Sequence, residues 1–343
     1  MSTVAEIVRD AFQVEEEGLD WRSGIAGAVA AIGPLAIGIA AGDATTGFTA
    51  SIGALNTALC IPRSALRARL WWGAAAMVGG CGSIALSQLV EDHTWSLLIA
   101  TFAWVALWAF WRAARPIGAL LGFATAAVFV IMSGLPGDPG DTGSQVAWYA
   151  IGSVAGLALM AAARRGTYAP PIGRAALAAY GNAIRTDRTL AGHALRLAVA
   201  VTVGTLVYRE IDLTHGYWIA LTILAILQPD ERATTVRVVQ RAAGTLGGAA
   251  VILLITLVFD ESWLLLCCGA ASAFGLYALD HRSYFWLVVL LTPTVLFMLS
   301  AVQFQGDDVA LDRVANSTLG IVIGFAIGEA FWTARRWRAR LST

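Results

Sequence analysis

The chain has 343 residues, 58% of them hydrophobic and 13% charged, and its 23 basic residues balance its 23 acidic ones. About a quarter of the residues of an ordinary soluble domain are charged. With a mean hydropathy of +0.69, the polar material is too sparse to cover a water-soluble core. Disordered, collagenous and soluble disulfide-scaffold classes are excluded as well. Nothing is strongly basic, so no nucleic-acid surface is implied, and every basic residue is arginine. The composition is that of an integral membrane protein.

Residues 1–23 are acidic, with neither a basic n-region nor an apolar h-region, so a cleaved leader is not expected. Val4, Ile7, Val8, Ala11 and Phe12 fall at helical spacing and predict an amphipathic cytoplasmic segment at the membrane surface. Apolar runs follow at 24–41, 46–61, 71–90, 95–111, 116–134 and 145–163, then at 193–208, 214–228, 242–259, 262–279, 284–302 and 314–333. A span needs about 20 residues, or about 17 if the bilayer thins. The reading is therefore all-α, with about twelve transmembrane helices. The second and eighth runs are short and end at Pro62 and Pro229.

Arginines orient the spans. Turns after even-numbered spans carry Arg63, Arg67 and Arg69; Arg112 and Arg115; Arg232, Arg237 and Arg241; and Arg282. Turns after odd-numbered spans carry Asp43; Glu91 and Asp92; Asp138 and Asp141; Glu210 and Asp212; Asp260 and Glu261; and Asp307, Asp308 and Asp312. The positive-inside rule then predicts an inner membrane protein with both termini cytoplasmic. The zero net charge separates into a basic inner face and an acidic outer one, a polarity that suits outward movement of anions.

The second half repeats the first at an offset near 168. Arg69 pairs with Arg237, Gly79-Gly80 with Gly247-Gly248, Asp92 with Asp260, and Trp95 with Trp263. Gly152 and Gly156 pair with Gly320 and Gly324; with small shifts, Pro62 matches Pro229 and Arg22 matches Arg196. Six spans per copy give two parallel repeats, 24–163 and 193–333, joined by a cytoplasmic linker at 164–192 and followed by a basic tail at 334–343. Parallel repeats are related by an axis along the membrane normal, with the pathway at their interface. The spaced glycines predict close helix packing. Cys60, Cys81, Cys267 and Cys268 sit in apolar runs without metal-ligand spacing, so buried, inert thiols and no metal or cofactor are expected.

Residues 193–260 are more specific. HALRLAVAVTVG and then THGYWIALTILAILQPDERATTVRVVQRAAGTLGGAAV resemble the fusaric acid resistance protein-like family, which includes the aromatic acid exporters. The match is carried by Arg196, His215, Gly216, Tyr217, Trp218, Gln228, Pro229, Arg241, Gly244, Thr245 and Gly247, and further on by Arg313, Thr318, Leu319 and Gly320. The first half fits as a weaker copy. The resemblance implies an inner-membrane exporter of hydrophobic weak organic acids, distantly similar to plant malate channels. Many members carry a large cytoplasmic domain between the halves, where this chain has a short linker. Asn316 stands where the family often has an acidic residue.

No span holds the residues of a hydrolase, a metal enzyme or a nucleotide-binding loop, so an enzyme is not expected. A pathway for small organic anions needs positive charge facing a cavity, because a buried arginine is costly without a counter-ion or water. Arg22, Arg196, Arg241 and Arg313 are the candidates, since a guanidinium fork holds a carboxylate by two hydrogen bonds. Each has a plainer role available. Arg22 and Arg196 could snorkel to inner lipid headgroups, Arg241 could be a topology charge, and Arg313 could pair with Asp308 or Asp312. Tyr217 and Trp218 could stack on an aromatic ring or anchor the interface, and Gln228 could bind a carboxylate or end its helix. His193 and His215 are the candidates for proton coupling, or polar residues at span ends. The expected activity is a proton-driven exporter of small aromatic or hydrophobic carboxylic acids; the alternatives are a passive organic-anion channel and a scaffold binding a partner or anionic lipid. Oligomeric state is not written in these residues.

Overall fold

The computed structural model describes residues 6, 12, 18–135, 142–256, 261–280, 284–303 and 306–341. The predicted amphipathic face at Val4, Ile7, Val8 and Ala11 lies outside them, as do Asp138, Asp141, Asp260 and Arg282 and the side chains of Asp307, Asp308 and the tail arginines. The described residues are helical, with no strand among them.

The first half contains α1 (Trp21–Ala40), α2 (Ala44–Leu59), α3 (Leu66–Val90), α4 (Thr94–Ala109), α5 (Ile117–Met132) and α6 (Thr142–Ala163). Helix α4 runs on into a 3-10 turn, Phe110–Ala114. A linker helix, α7 (Arg174–Thr186), leads to α8 (Arg188–Glu210), α9 (Tyr217–Ile226), α10 (Glu231–Thr256), α11 (Ser262–Leu279), α12 (Tyr284–Gln303) and α13 (Gly306–Leu341). Among the described residues, eight segments are long and apolar enough to cross a membrane: α1, α3, α4 with its turn, α6, α8, α10, α12 and α13; α5, α9 and α11 are apolar but shorter.

Local chemistry sets the helix starts. Asp20, Asp43 and Asp187 each accept a hydrogen bond from the backbone N–H three residues on, at 3.1, 3.0 and 2.9 Å, and so cap α1, α2 and α8. Proline sets two of the ends. The residue before a proline is driven out of the helical region, and α2 and α9 stop just short of Pro62 and Pro229.

These two short helices are the most enclosed. All ten residues of α9 are buried, as is α2 from Gly47 to Leu59. Glycine lets their neighbours approach. A Cβ at Gly152 of α6 would lie 1.8 Å from the Ala50 carbonyl oxygen, and one at Gly320 of α13 would lie 2.7 Å from that of Ile219. The halves also interlock, α1 packing on α11 and α4 on α8. The Asp20 N–H donates to the Ala278 carbonyl at 3.3 Å, and the Tyr277 hydroxyl to that of Leu55 at 2.9 Å. Trp95 and Trp263, paired in the sequence, point outward at 78% and 61% exposure, as lipid-facing side chains do.

Several expectations change. Helix α10 begins at Glu231, so Arg241 lies about 15 Å along it and not at its opening. Arg313 lies within α13, which begins at Gly306, and Arg196 lies two turns into α8. Tyr217 and Trp218 are not surface anchors: at 1% and 2% exposure they belong to the core. Cys60 is buried, but Cys267 is exposed on its helix and Cys81 and Cys268 are half-buried. Helix α13 runs to Leu341, through residues expected to form a tail.

Candidate functional site

Among the cavities lined by both halves, one is central and one lies toward the inner end. The central one, about 80 Å³, is walled by α2 and α5 from the first half and by α9, α10, α12 and α13 from the second. Among the described residues its walls are apolar apart from Asn56, Arg241, Thr292, Arg313 and the Trp218 indole. Arg313 and Arg241 are each 3% exposed. The Arg313 guanidinium carbon sits 3.6 Å from the centre of the Trp218 ring, a close cation–π contact. Asn56 donates to the Tyr149 hydroxyl at 2.6 Å. The indole N–H of Trp218 and the hydroxyls of Tyr217 and Thr292 are buried with no hydrogen-bond partner among the described residues. Buried donors without acceptors cost free energy, and here they cluster around two arginines.

The inner cavity, about 210 Å³, lies at the arginine-rich end. Arg112, His193, Gln228 and Arg237 supply its polar groups, with Trp108 and Phe123 among its apolar walls. Phe123 lines both cavities. Gln228 joins the halves: its side-chain oxygen accepts from Arg112 and its backbone carbonyl from Arg196. That carbonyl precedes Pro229, where the helix cannot continue, and the guanidinium satisfies it. Arg196 also lies over the Trp332 ring, at 4.8 Å, with its Nη2 3.5 Å from His193 Nδ1.

The matching inner corner of the first half is ionic. Arg63 bonds Asp280 at 2.9 Å and Asp20 at 3.2 Å, and the buried Arg164 completes the cluster on Asp280. Arg164 also donates to the Ile61 carbonyl, the one before Pro62. Burial alone would raise the Asp20 carboxyl, but hydrogen bonds from the Ser23 hydroxyl and N–H and the Arg63 charge hold it below its ordinary value.

Towards the other end, His215 occupies the left-handed region (φ 53°) with its Nδ1 3.0 Å from an Asp312 carboxylate oxygen. Asn316 holds this turn by donating to the Thr214 and His215 carbonyls at 2.9 and 3.2 Å. A wide opening lined by Tyr208, Arg209, Asp212 and His215 lies beside it. Glu91, at the same end, is raised by burial and by the neighbouring Asp92, with Arg209 opposing.

The structure thus brings Trp218, Arg241 and Arg313 to one cavity, with Tyr217 beside Trp218 (ring centroids 4.9 Å apart), and His193 and Gln228 to the other. His215 stands near the outer opening. Arg22 is exposed and apart from all of them; the first-half partner of a pre-proline carbonyl is Arg164. The sequence reading passed over Arg112, Asn56, Phe123 and Thr292. Arg112 was visible only as one inner-face charge among many.

Comparison with known proteins agrees with the motif run. Residues 195–327 match the family described as fusaric acid resistance protein-like. The chain is 30% identical over 151 residues to YhfK of Escherichia coli K12, which covers 43% of this chain and 21% of that protein. It is 28% identical over 156 residues to the inner membrane protein YccS of the same organism, 44% of this chain and 21% of that one. A Neisseria gonorrhoeae protein, ORF2, is 44% identical over 59 residues, 17% of this chain and 14% of its own length. The match thus spans about a fifth of the two longer-matched relatives. No solved structure matches the chain. Residues 195–327 of this multi-pass helical membrane protein are therefore similar to the fusaric acid resistance protein-like family.

Proposed function

We propose that the chain is an inner-membrane secondary exporter of small aromatic or other hydrophobic carboxylic acids. It carries them along the seam between two parallel six-helix repeats, twelve spans in all, with both termini cytoplasmic. The observation that carries this reading is the central cavity: two buried arginines, with a tryptophan under one of them, in a mostly apolar lining. Guanidinium groups can hold a carboxylate by paired, charge-assisted hydrogen bonds. The apolar walls and the Trp218 indole suit the ring that carries it. Unpartnered donors at Trp218 and Thr292 add to that complementarity.

Support for the repeat comes from the packing. The exchanged pairs α1–α11 and α4–α8 are what a two-fold axis would produce, and Gly152 meets Ala50 much as Gly320 meets Ile219. Proton coupling is assigned to the His215–Asp312 pair beside the outer opening, where the imidazole Nδ1 lies 3.0 Å from the carboxylate.

The test is efflux of labelled substituted benzoates from preloaded cells, with and without an uncoupler. Arg313→Gln and Arg241→Gln should each slow efflux at least about tenfold, as loss of a charge-assisted contact does. Equal efflux with and without the gene removes the reading. A second reading, a passive anion channel, is favoured by the absence of a carboxylate among the described residues that line the central cavity. Discrete single-channel currents in planar bilayers would select it.

A further inference from the structure

The linker helix α7 is tied to a membrane-crossing segment. Its Tyr180 hydroxyl donates to the Leu107 carbonyl at 3.1 Å, and the same ring packs on Trp111 with centroids 4.9 Å apart. Leu107 belongs to the segment Thr94–Ala114, which is long and apolar enough to cross a membrane. It stands seven residues, about 10 Å, back from the arginine-rich end of that segment. Helix α7 is thus folded back against the inner end of a span, level with Trp111. Tryptophan and tyrosine are enriched at that depth, where headgroups meet acyl chains.

The thirteen residues of α7 present three sides. Ala176 and Ala183 are buried and Tyr180 is half-buried, on the side turned to the 3-10 turn Phe110–Ala114. Leu177 and Ile184, two turns apart, form a second side and are 55% and 45% exposed. Arg174 and Arg185 lie farther round from the buried side, and Arg188 follows at the start of α8. All three arginines are exposed, and their guanidinium groups bond no other described residue. Asp187, the one carboxylate between Gly166 and Gly192, accepts from the Leu190 N–H at 2.9 Å. Water alone leaves the aliphatic stripe unburied, and hydrocarbon alone leaves the charges unsolvated. The boundary between them, with its phosphates, suits both.

We propose that α7 lies in the plane of the inner headgroup layer, with Leu177 and Ile184 among the acyl chains and Arg174, Arg185 and Arg188 on the phosphates of anionic phospholipid. The arginines alone would take any phosphate, but the apolar stripe beside them needs a chain to cover it, and that selects a lipid. The segment expected to be a cytoplasmic linker is then part of the membrane-embedded protein. Only Asp187 separates α7 from α8, so lipid held on α7 fixes the inner end of the helix that carries His193 and Arg196. The proposal stands whether or not an organic acid moves along the seam.

The experiment places an environment-sensitive coumarin amino acid at position 177, and in a second sample at position 184, of the purified full chain in nanodiscs. Phosphatidylglycerol and phosphatidylcholine, each brominated on the acyl chains, are titrated in turn, and acrylamide probes access from water. Both positions should be quenched by brominated lipid and little by acrylamide, with phosphatidylglycerol acting at the lower mole fraction. Arg174→Gln and Arg185→Gln should each cut that preference about fivefold, the factor that about 1 kcal/mol per basic side chain gives. Stronger quenching by acrylamide than by brominated lipid at both positions puts the helix in water and overturns the proposal. So do an equal response to the two lipids, a preference unchanged in both arginine variants, and displacement of the lipid by inorganic phosphate. Retained melting temperature in the arginine variants separates lost lipid binding from lost fold.

Discussion

The two inner corners are built to one plan and filled with opposite charge. In each, a short buried helix stops at a proline and the carbonyl before it accepts from an arginine, Arg164 at Ile61 and Arg196 at Gln228. In the first, Asp280 and Asp20 neutralise Arg63 and Arg164. In the second, Arg112 adds a further positive charge and finds only the oxygen of Gln228. One corner ties the halves together through carboxylates of the chain, and the other through a glutamine side chain.

The largest effect should come from breaking the ionic corner. Asp280→Ala leaves Arg164, 3% exposed, without its carboxylate, and removing one partner of a buried pair costs about 3 kcal/mol. Thermal unfolding in detergent followed by circular dichroism should show it, whereas Arg112→Ala should cost under about 1 kcal/mol. Equal losses would erase the distinction between the corners. Next, Arg112→Asp copies the carboxylate of the first corner into the second, and in the same experiment it should melt no lower than the wild type.

The glycine seams give a smaller difference. An added Cβ would lie 1.8 Å from a carbonyl oxygen at Gly152 but 2.7 Å at Gly320. Overpacking costs about 1–3 kcal/mol, so Gly152→Ala should sit near the top of that range and Gly320→Ala near the bottom in the same melts. Smallest is the acid limb of stability. The Asp20 carboxyl is held below its ordinary 3.8, so its contribution is complete above that pH and is lost as pH falls through the lower folded value. Asp20→Asn should flatten that limb by less than about 1 kcal/mol, because the pair is partly exposed. An unchanged acid limb in the variant would place the acid sensitivity elsewhere.

How much of this was legible in the sequence differs from group to group. The helical class could be read because apolar runs report burial in lipid directly, and Pro62 and Pro229 stop their helices where the sequence says they must. The convergence of Arg241 and Arg313 was not legible. Counted along the chain they belong to opposite ends, and only the real starts of α10 and α13 carry both inward to Trp218. Trp218 was hidden for a related reason, since a tryptophan near a span end reads equally well as an interface anchor. The pairing of Arg22 with Arg196 followed register alone. Position in the fold gives the carbonyl-capping role to Arg164, which lies at the end of α6 and has no place in that alignment.

Helix α9, finally, has ten residues and is therefore about 15 Å long, half the thickness of the hydrocarbon layer. The inner cavity lies on one side of it and the opening beside His215 on the other; with water in both, the membrane potential would fall across a plug far thinner than the bilayer. A cell that is negative inside does work of about 2.3 kcal/mol per 100 mV on each unit charge that crosses. For an organic anion leaving through this seam, most of that work would be delivered over the few side chains between Phe123 and Trp218. On the exporter reading proposed above, voltage alone would then push an organic anion outward, leaving a proton only the resetting of the empty carrier.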